Sequence, residues 1–151
     1  MVERVWKPNV TVAAVIERDG RFLVVEEHTS AGLRFNQPAG HLEPGESLLD
    51  AVSRETLEET AQRFRPEFLV GVYQWPRPDR EATYLRFAFG GSWLGEDAGR
   101  ALDPDIVAAH WLTREELVAR SDRHRSPLVM QCLDDWAAGN RHSLALLRYY
   151  A

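Results

Sequence analysis

Between positions 10 and 16 the chain reads V-T-V-A-A-V-I, apolar on both of the faces that alternate along an extended backbone. Successive side chains of a strand point to opposite sides of its sheet, so such a run is stable only when both sides are covered. It predicts a central strand with a packing layer above and another below. A second branched apolar run at residues 22–25 follows after Glu17-Arg18-Asp19-Gly20-Arg21. Asp-Gly between two such runs predicts a hairpin, because both residues of the tight turn take positive φ. Further strands are expected at 68–74, 83–89 and 106–112.

Three helices have readable starts. Ser47 with Asp50 three residues on has the form of a capping box and opens a helix that runs through Glu59. Thr113 with Glu116 opens a shorter one. Ser126-Pro127 begins a third, with apolar positions at 128, 129, 132, 133 and 136 and Gly139 as its stop. Strands interleaved with helices predict an α/β domain with helices on both faces of a mixed sheet. The 151 residues fit one domain of ordinary size, 1–151.

Composition narrows the function classes. No stretch approaches the roughly 18 apolar residues of a membrane span, and the N-terminal MVERVWKPNV lacks a signal peptide's apolar run. A cytoplasmic protein without a membrane partner is expected, a monomer rather than a dimer. The lone cysteine, Cys132, excludes an internal disulfide and a thiolate zinc cluster, and its helical spacing from Val129 and Trp136 assigns it to the core. A net charge of −5 disfavours nucleic acid, which is bound through clustered Lys and Arg. It leaves room for a small phosphorylated ligand, because a metal ion supplies positive charge locally.

The helix from Ser47 carries Glu55, Glu58 and Glu59. At about 100° per residue these positions, related by i+3 and i+4, fall in one arc, and Glu59 lies between Leu48 and Val52 on the face expected to meet the core. Like charges so placed repel, more strongly once partly removed from water. Arg54 pairs with Glu58 at i+4, yet one arginine does not balance three carboxylates. A divalent cation does. Hard oxygen donors suit Mg²⁺, with Mn²⁺ able to substitute. Pro38, Gly40 and Gly45 shape the preceding loop so that a main-chain carbonyl can face that cation.

Gly40, five residues, Glu46, seven residues, Arg54-Glu55, two residues and Glu58-Glu59 resemble the Nudix box of the Nudix hydrolases. Three positions depart from the box: Thr56 and Gln62 at aliphatic positions, and Ala61 where the final glycine belongs. Either Ala61 closes the helix in a left-handed conformation, at a cost of about 1 kcal/mol, or the helix continues until Pro66 stops it. The segments KPNVTVAAVIERDGRFLVVEE, NQPAGHLEPGESLLDA, VYQWPRPD, YLRFAF and RSPLV are similar to the NudJ-type phosphatase subgroup.

The resemblance implies an α/β/α sandwich with a mixed sheet in which the box forms loop, helix and loop. It implies Glu55, Glu58 and Glu59 as metal ligands, with the Ala39 carbonyl a further one. Glu46 supports the loop or reaches the metal through water, and Arg54 holds a glutamate in place. Glu55 or Glu58 takes the proton from the attacking water; in some relatives an acid outside the box does so, for which Asp105 and Asp103 are candidates. Trp75 and Tyr73, near Arg77 and Arg80, either stack on a substrate ring and meet its phosphates or belong to core and surface. Arg86 points into a cleft or lies on an exposed edge; His41 is a loop residue beside the box. The implied activity is Mg²⁺-dependent release of inorganic phosphate from nucleoside di- and triphosphates, and hydrolysis of hydroxymethylpyrimidine diphosphate. Beside it stand another Nudix specificity, for ADP-ribose or RNA 5′ ends, and a Nudix-like module that binds without turnover.

Overall fold

The computed structural model describes residues 4–151; positions 1–3, the start of the N-terminal stretch read above, lie outside the described residues. In chain order the elements are β1 (Asn9–Val15), β2 (Glu17–Arg18), β3 (Arg21–Thr29), β4 (Gly32–Asn36), β5 (Ala39–His41), α1 (Leu48–Thr60), β6 (Gln62–Pro76), β7 (Thr83–Glu96), β8 (Ile106–Leu112), α2 (Arg114–Val118) and α3 (Leu128–Ala137). One sheet has the order β5-β1-β7-β6 and is mixed, because β1 and β7 run parallel while the other pairs are antiparallel. The second, wholly antiparallel, places β3 against β2, β4 and β8. The helices on two faces and the mixed sheet match the expected class; the division into two sheets was not foreseen.

The two-faced run behaves as its composition requires. Val12, Ala14 and the adjoining Ile16 pack with Ala51 and Val52 of α1, while Val15 packs with Leu128, Cys132 and Leu133 of α3. β7 repeats the pattern, with Phe89 on the α1 side and Ala88 on the α3 side. Cys132 is therefore a core residue, fully buried. Among the described residues, no helix is long and apolar enough to cross a membrane.

Local signals fix several boundaries. Asp19 (φ 51°) and Gly20 (φ 78°) form the predicted turn, pairing Arg18 with Arg21. Ser47 Oγ accepts the Asp50 N–H at 3.1 Å and Thr113 Oγ1 the Glu116 N–H at 3.1 Å, capping α1 and α2. α1 then ends at Ala61, left-handed at φ 60°, whose N–H bonds to the Leu57 carbonyl. The alternative, a helix running on to Pro66, is not adopted: the chain turns straight into β6, and Gln62 already pairs with Glu96. Alanine is tolerated there because its methyl is buried, 6% exposed. Burying one carbon group returns about 0.8 kcal/mol, comparable with the conformational cost.

β6 and β7 pair far beyond the expected ranges, with register shifts between Pro66 and Phe68 and between Leu69 and Gly71. Gly91 lies at the first of these. A Cβ there would collide with the Arg65 carbonyl oxygen, part of the backbone and unable to rotate aside. Gly91→Ala is expected to lower stability by about 1–3 kcal/mol, the range for forced overpacking. Ala61→Gly, where strain relief and lost burial oppose each other, should shift it by less than about 1 kcal/mol. Urea unfolding of both variants checks the contrast.

Candidate functional site

Arg54 organises the carboxylates. Its Nε and Nη2 grip Glu46 through both oxygens, at 3.0 and 2.8 Å, while Nη2 also donates to the His41 carbonyl at 3.1 Å. Its Nη1 donates to Glu55 Oε1 at 2.8 Å and to Glu58 Oε2 at 3.1 Å. Glu46 Oε1 also accepts the Glu43 N–H at 2.8 Å, which closes the loop before α1. Glu46 thus lies against the loop and Arg54. Hydrogen bonding to Arg54 holds its carboxyl below the usual range, and the same bond raises the Arg54 guanidinium further above its own.

Gly40 makes the approach of Glu55 possible. A Cβ at Gly40 would overlap the Glu55 carboxyl group, so only glycine lets β5 lie this close to α1. Glu55 is 9% exposed, and burial, outweighing Arg54, raises its pKa. Glu59 is 8% exposed, as its position between Leu48 and Val52 implies. Burial pushes its carboxyl to about 9; the Ala39 N–H, donating to Oε1 at 2.8 Å, opposes this, and the charges of Glu27, Glu55 and Asp103 add to it.

The bonds Ala14 N–H to Pro38 C=O and Leu42 N–H to Val10 C=O make Val12 and Gly40 the bonded pair between β1 and β5. Ala39 therefore turns both its backbone groups away from β1. Its N–H serves Glu59, and its carbonyl emerges on the same edge.

The acids brought together differ from the sequence expectation. Glu55, Glu58 and Asp103 each present an oxygen within 4.8 Å of the others, while Glu59 is engaged with β5. Asp103 arrives from the loop before β8, its N–H bonded to the Glu58 carbonyl at 3.0 Å. One buried and two half-buried carboxylates converging in this way form an all-oxygen donor set, which fits a hard divalent cation. Asp105 stands apart from this trio, exposed, and lines the adjoining cleft.

That cleft holds about 470 Å³. Glu55 and Glu59 line one part of it, with Gly40, Ala39 and His41. Its floor is one face of the mixed sheet: Thr11, Arg86 and Tyr84 lie in register across β1 and β7, and Trp75 opposite Tyr84 on β6. The facing wall comes from β3 and β4, with Glu27, Arg34 and Asn36.

Trp75 and Arg77 both line the cleft, Trp75 stacked on Tyr84 with centroids 5.9 Å apart and Arg77 bound to Asp79 at 2.6 Å. Tyr73 does not line it. The Tyr73 hydroxyl donates to Asp135 of α3 at 2.6 Å, and burial, then this bond, raises its pKa. Arg80 is exposed, in a left-handed turn at φ 59°. Arg86 is buried and points into the cleft rather than along an edge.

Several cleft residues were not anticipated. Glu27, 8% exposed and bound to Arg125 at 2.7 Å, lies two residues beyond the apolar run that marked its strand. The i, i+2 alternation from Val25 gives its direction, provided the strand is known to continue. Asn36, and Gln37 buried beside it outside the lining, are neutral and non-periodic, and nothing in their local sequence separates them from loop amides.

Comparison with known proteins agrees with this geometry. The sequence matches the NUDIX domain family over residues 6–132. It is 38% identical over 142 residues to Phosphatase NudJ of Escherichia coli (strain K12), spanning 94% of this chain and 92% of that one. A solved NUDIX hydrolase from Nitrosomonas europaea superposes with a TM-score of 0.92 at 52% identity, covering 95% of this chain and 98% of the other. A MutT NUDIX hydrolase from Burkholderia pseudomallei, 21% identical, shares the fold with a TM-score of 0.73 over 86% of this chain and 98% of its own. With the spacing of Gly40, Glu46, Arg54, Glu55, Glu58 and Glu59, these similarities place the chain in the NUDIX domain family, as a Nudix hydrolase.

Proposed function

We propose that this hydrolase is a Mg²⁺-dependent phosphatase that releases inorganic phosphate from nucleoside di- and triphosphates, with hydroxymethylpyrimidine diphosphate as a further substrate. The observation that carries the reading is the convergence of Glu55, Glu58 and Asp103 beside a cleft that also contains a buried arginine. The relative named Phosphatase NudJ, similar over nearly the whole chain, supports phosphate release over other Nudix chemistries. The retained carboxylates and Arg54 favour turnover over a binding-only module. The enzyme would act as a single-domain, cytoplasmic monomer.

Glu55, Glu58 and Asp103 would hold the cation, with the Glu59 carboxylate and the Ala39 carbonyl adjoining on the β5 edge. When bound, the cation neutralises phosphate oxygens and acidifies the attacking water. Arg54 keeps Glu55 and Glu58 in position by two charge-assisted hydrogen bonds. Glu55 or Glu58 would take the proton from the attacking water. Trp75 and Tyr84 offer an aromatic surface beside the floor of the cleft for the group carrying the phosphates.

Incubation with a nucleotide panel and Mg²⁺, read by colorimetric phosphate detection, is expected to show release that chelation abolishes. Folded protein that frees no phosphate, or chromatography showing AMP with ribose phosphate or pyrophosphate, would replace this reading with another.

Glu58→Gln is expected to cut turnover by about 100-fold or more with folding intact, since it removes a donor from the trio. Glu59→Gln should also abolish turnover, by removing an anionic oxygen beside the cation, while keeping or raising the melting temperature in metal-free buffer, where burial favours the uncharged carboxyl. Unchanged turnover in both variants rejects the ligand assignment. Gly40→Ala should lower turnover by displacing the Glu55 carboxyl, a loss measurable beside an unaltered circular dichroism spectrum.

A further inference from the structure

Arg86 presents an electrostatic imbalance that the catalytic carboxylates do not explain. It is 6% exposed on β7, yet every side chain it hydrogen-bonds is neutral. Nη1 donates to Gln37 Oε1 at 3.1 Å and approaches Cys132 Sγ at 3.8 Å; Nη2 donates to Asn36 Oδ1 at 3.0 Å. Gln37 is itself fixed, its Nε2 donating to the Val129 carbonyl at 2.6 Å, so its oxygen is directed at the guanidinium. Two other arginines of the cleft have carboxylate partners: Arg77 pairs with Asp79 and Arg125 with Glu27. Among the described residues Arg86 has none.

A guanidinium removed from water loses more than neutral amide oxygens return, and an anion within reach restores it. The amides here direct the group without neutralising it. Of its N–H groups, Nε–H and one hydrogen of Nη2 have no acceptor among the described residues. Arg34, on the facing wall, bonds only the Leu33 carbonyl among the described residues and adds a second positive charge to the same cleft.

We propose that Arg86, held by Asn36 and Gln37, is an oxyanion-binding subsite that receives a phosphate group of the substrate which the carboxylate-held cation does not reach. The inference rests on the phosphoanhydride reading for the identity of the substrate, but not for the existence of the subsite. The cleft is then polarised. Its acidic part takes the cation and the phosphorus under attack, and its arginine takes the next anionic group, where the planar fork accommodates two oxygens of one phosphate. Selectivity follows for substrates with charge beyond the reacting phosphoryl group.

The test has two arms, so that the subsite and the reaction can fail separately. In chelator-containing buffer, inorganic phosphate should raise the wild-type melting temperature and change its tryptophan fluorescence in a saturable way. Arg86→Gln, which keeps an N–H donor for Asn36 and Gln37, should weaken that binding roughly tenfold or more, while its phosphate-free melting temperature stays level or rises. Asn36→Asp gives Arg86 an internal counter-ion and should weaken phosphate binding similarly with the arginine still in place. With Mg²⁺ and a nucleoside triphosphate, both variants should raise KM far more than they lower kcat.

If the wild type binds phosphate through Arg86 but hydrolyses no phosphoanhydride, the proposed reaction fails and the subsite stands. The subsite is overturned if phosphate does not bind the wild type, or if it binds both variants as tightly. It is also overturned if Arg86→Gln lowers the melting temperature and leaves KM unchanged, the signature of a residue that serves only the strand.

Discussion

The site depends on one guanidinium that restrains a crowd of like charges. Arg54 alone contacts the loop acid Glu46, the loop carbonyl of His41 and the helix acids Glu55 and Glu58. Without it, carboxylates at i+3 spacing would turn toward water, the inexpensive solution for exposed anions. With it, they stay directed inward, and Glu55 sits about one turn from the buried Glu59, whose carboxyl prefers its proton. A single fixed cation leaves this arrangement short of positive charge. That deficit, more than any single distance, argues for a divalent ion.

The fold exists to hold that helix against two different surfaces. Because β1 is apolar on both sides, α1 and α3 cover opposite faces of the same strand, and β1 positions β5 at the edge beside α1. β5 in turn needs Gly40, since any side chain there would displace Glu55. The second sheet closes over the floor made by β1, β7 and β6, and the space between is the cleft. The carboxylates of α1 and the buried Arg86 are thus placed by separate layers that share one core strand.

Local chemistry made part of this legible in the sequence. Asp19-Gly20, the Ser47 and Thr113 caps, the α3 periodicity and the spacing of the box residues each act within a few positions, so they survive as patterns. The limits of β3, β6 and β7 did not, because those strands extend through polar and glycine-containing residues whose place is set by a partner strand. β5 read as loop for the same reason: three residues become a strand only through Val12. Asp103 joins Glu55 and Glu58 by a backbone bond across 45 positions, a contact no spacing records. Tyr73 and Trp75 lie on one face and looked equivalent, yet Asp135 of α3 captures the first and leaves the second at the cleft.

The central claim, that these acids are assembled around a hard dication, is tested most directly by titrating Mn²⁺ into the nucleotide-free protein and following the free ion by electron paramagnetic resonance. The account predicts saturable uptake at millimolar metal or below, displaced by excess Mg²⁺ and strongly weakened in Glu58→Gln. A free-ion signal rising in proportion from the first addition, the same for wild type and variant, would contradict it.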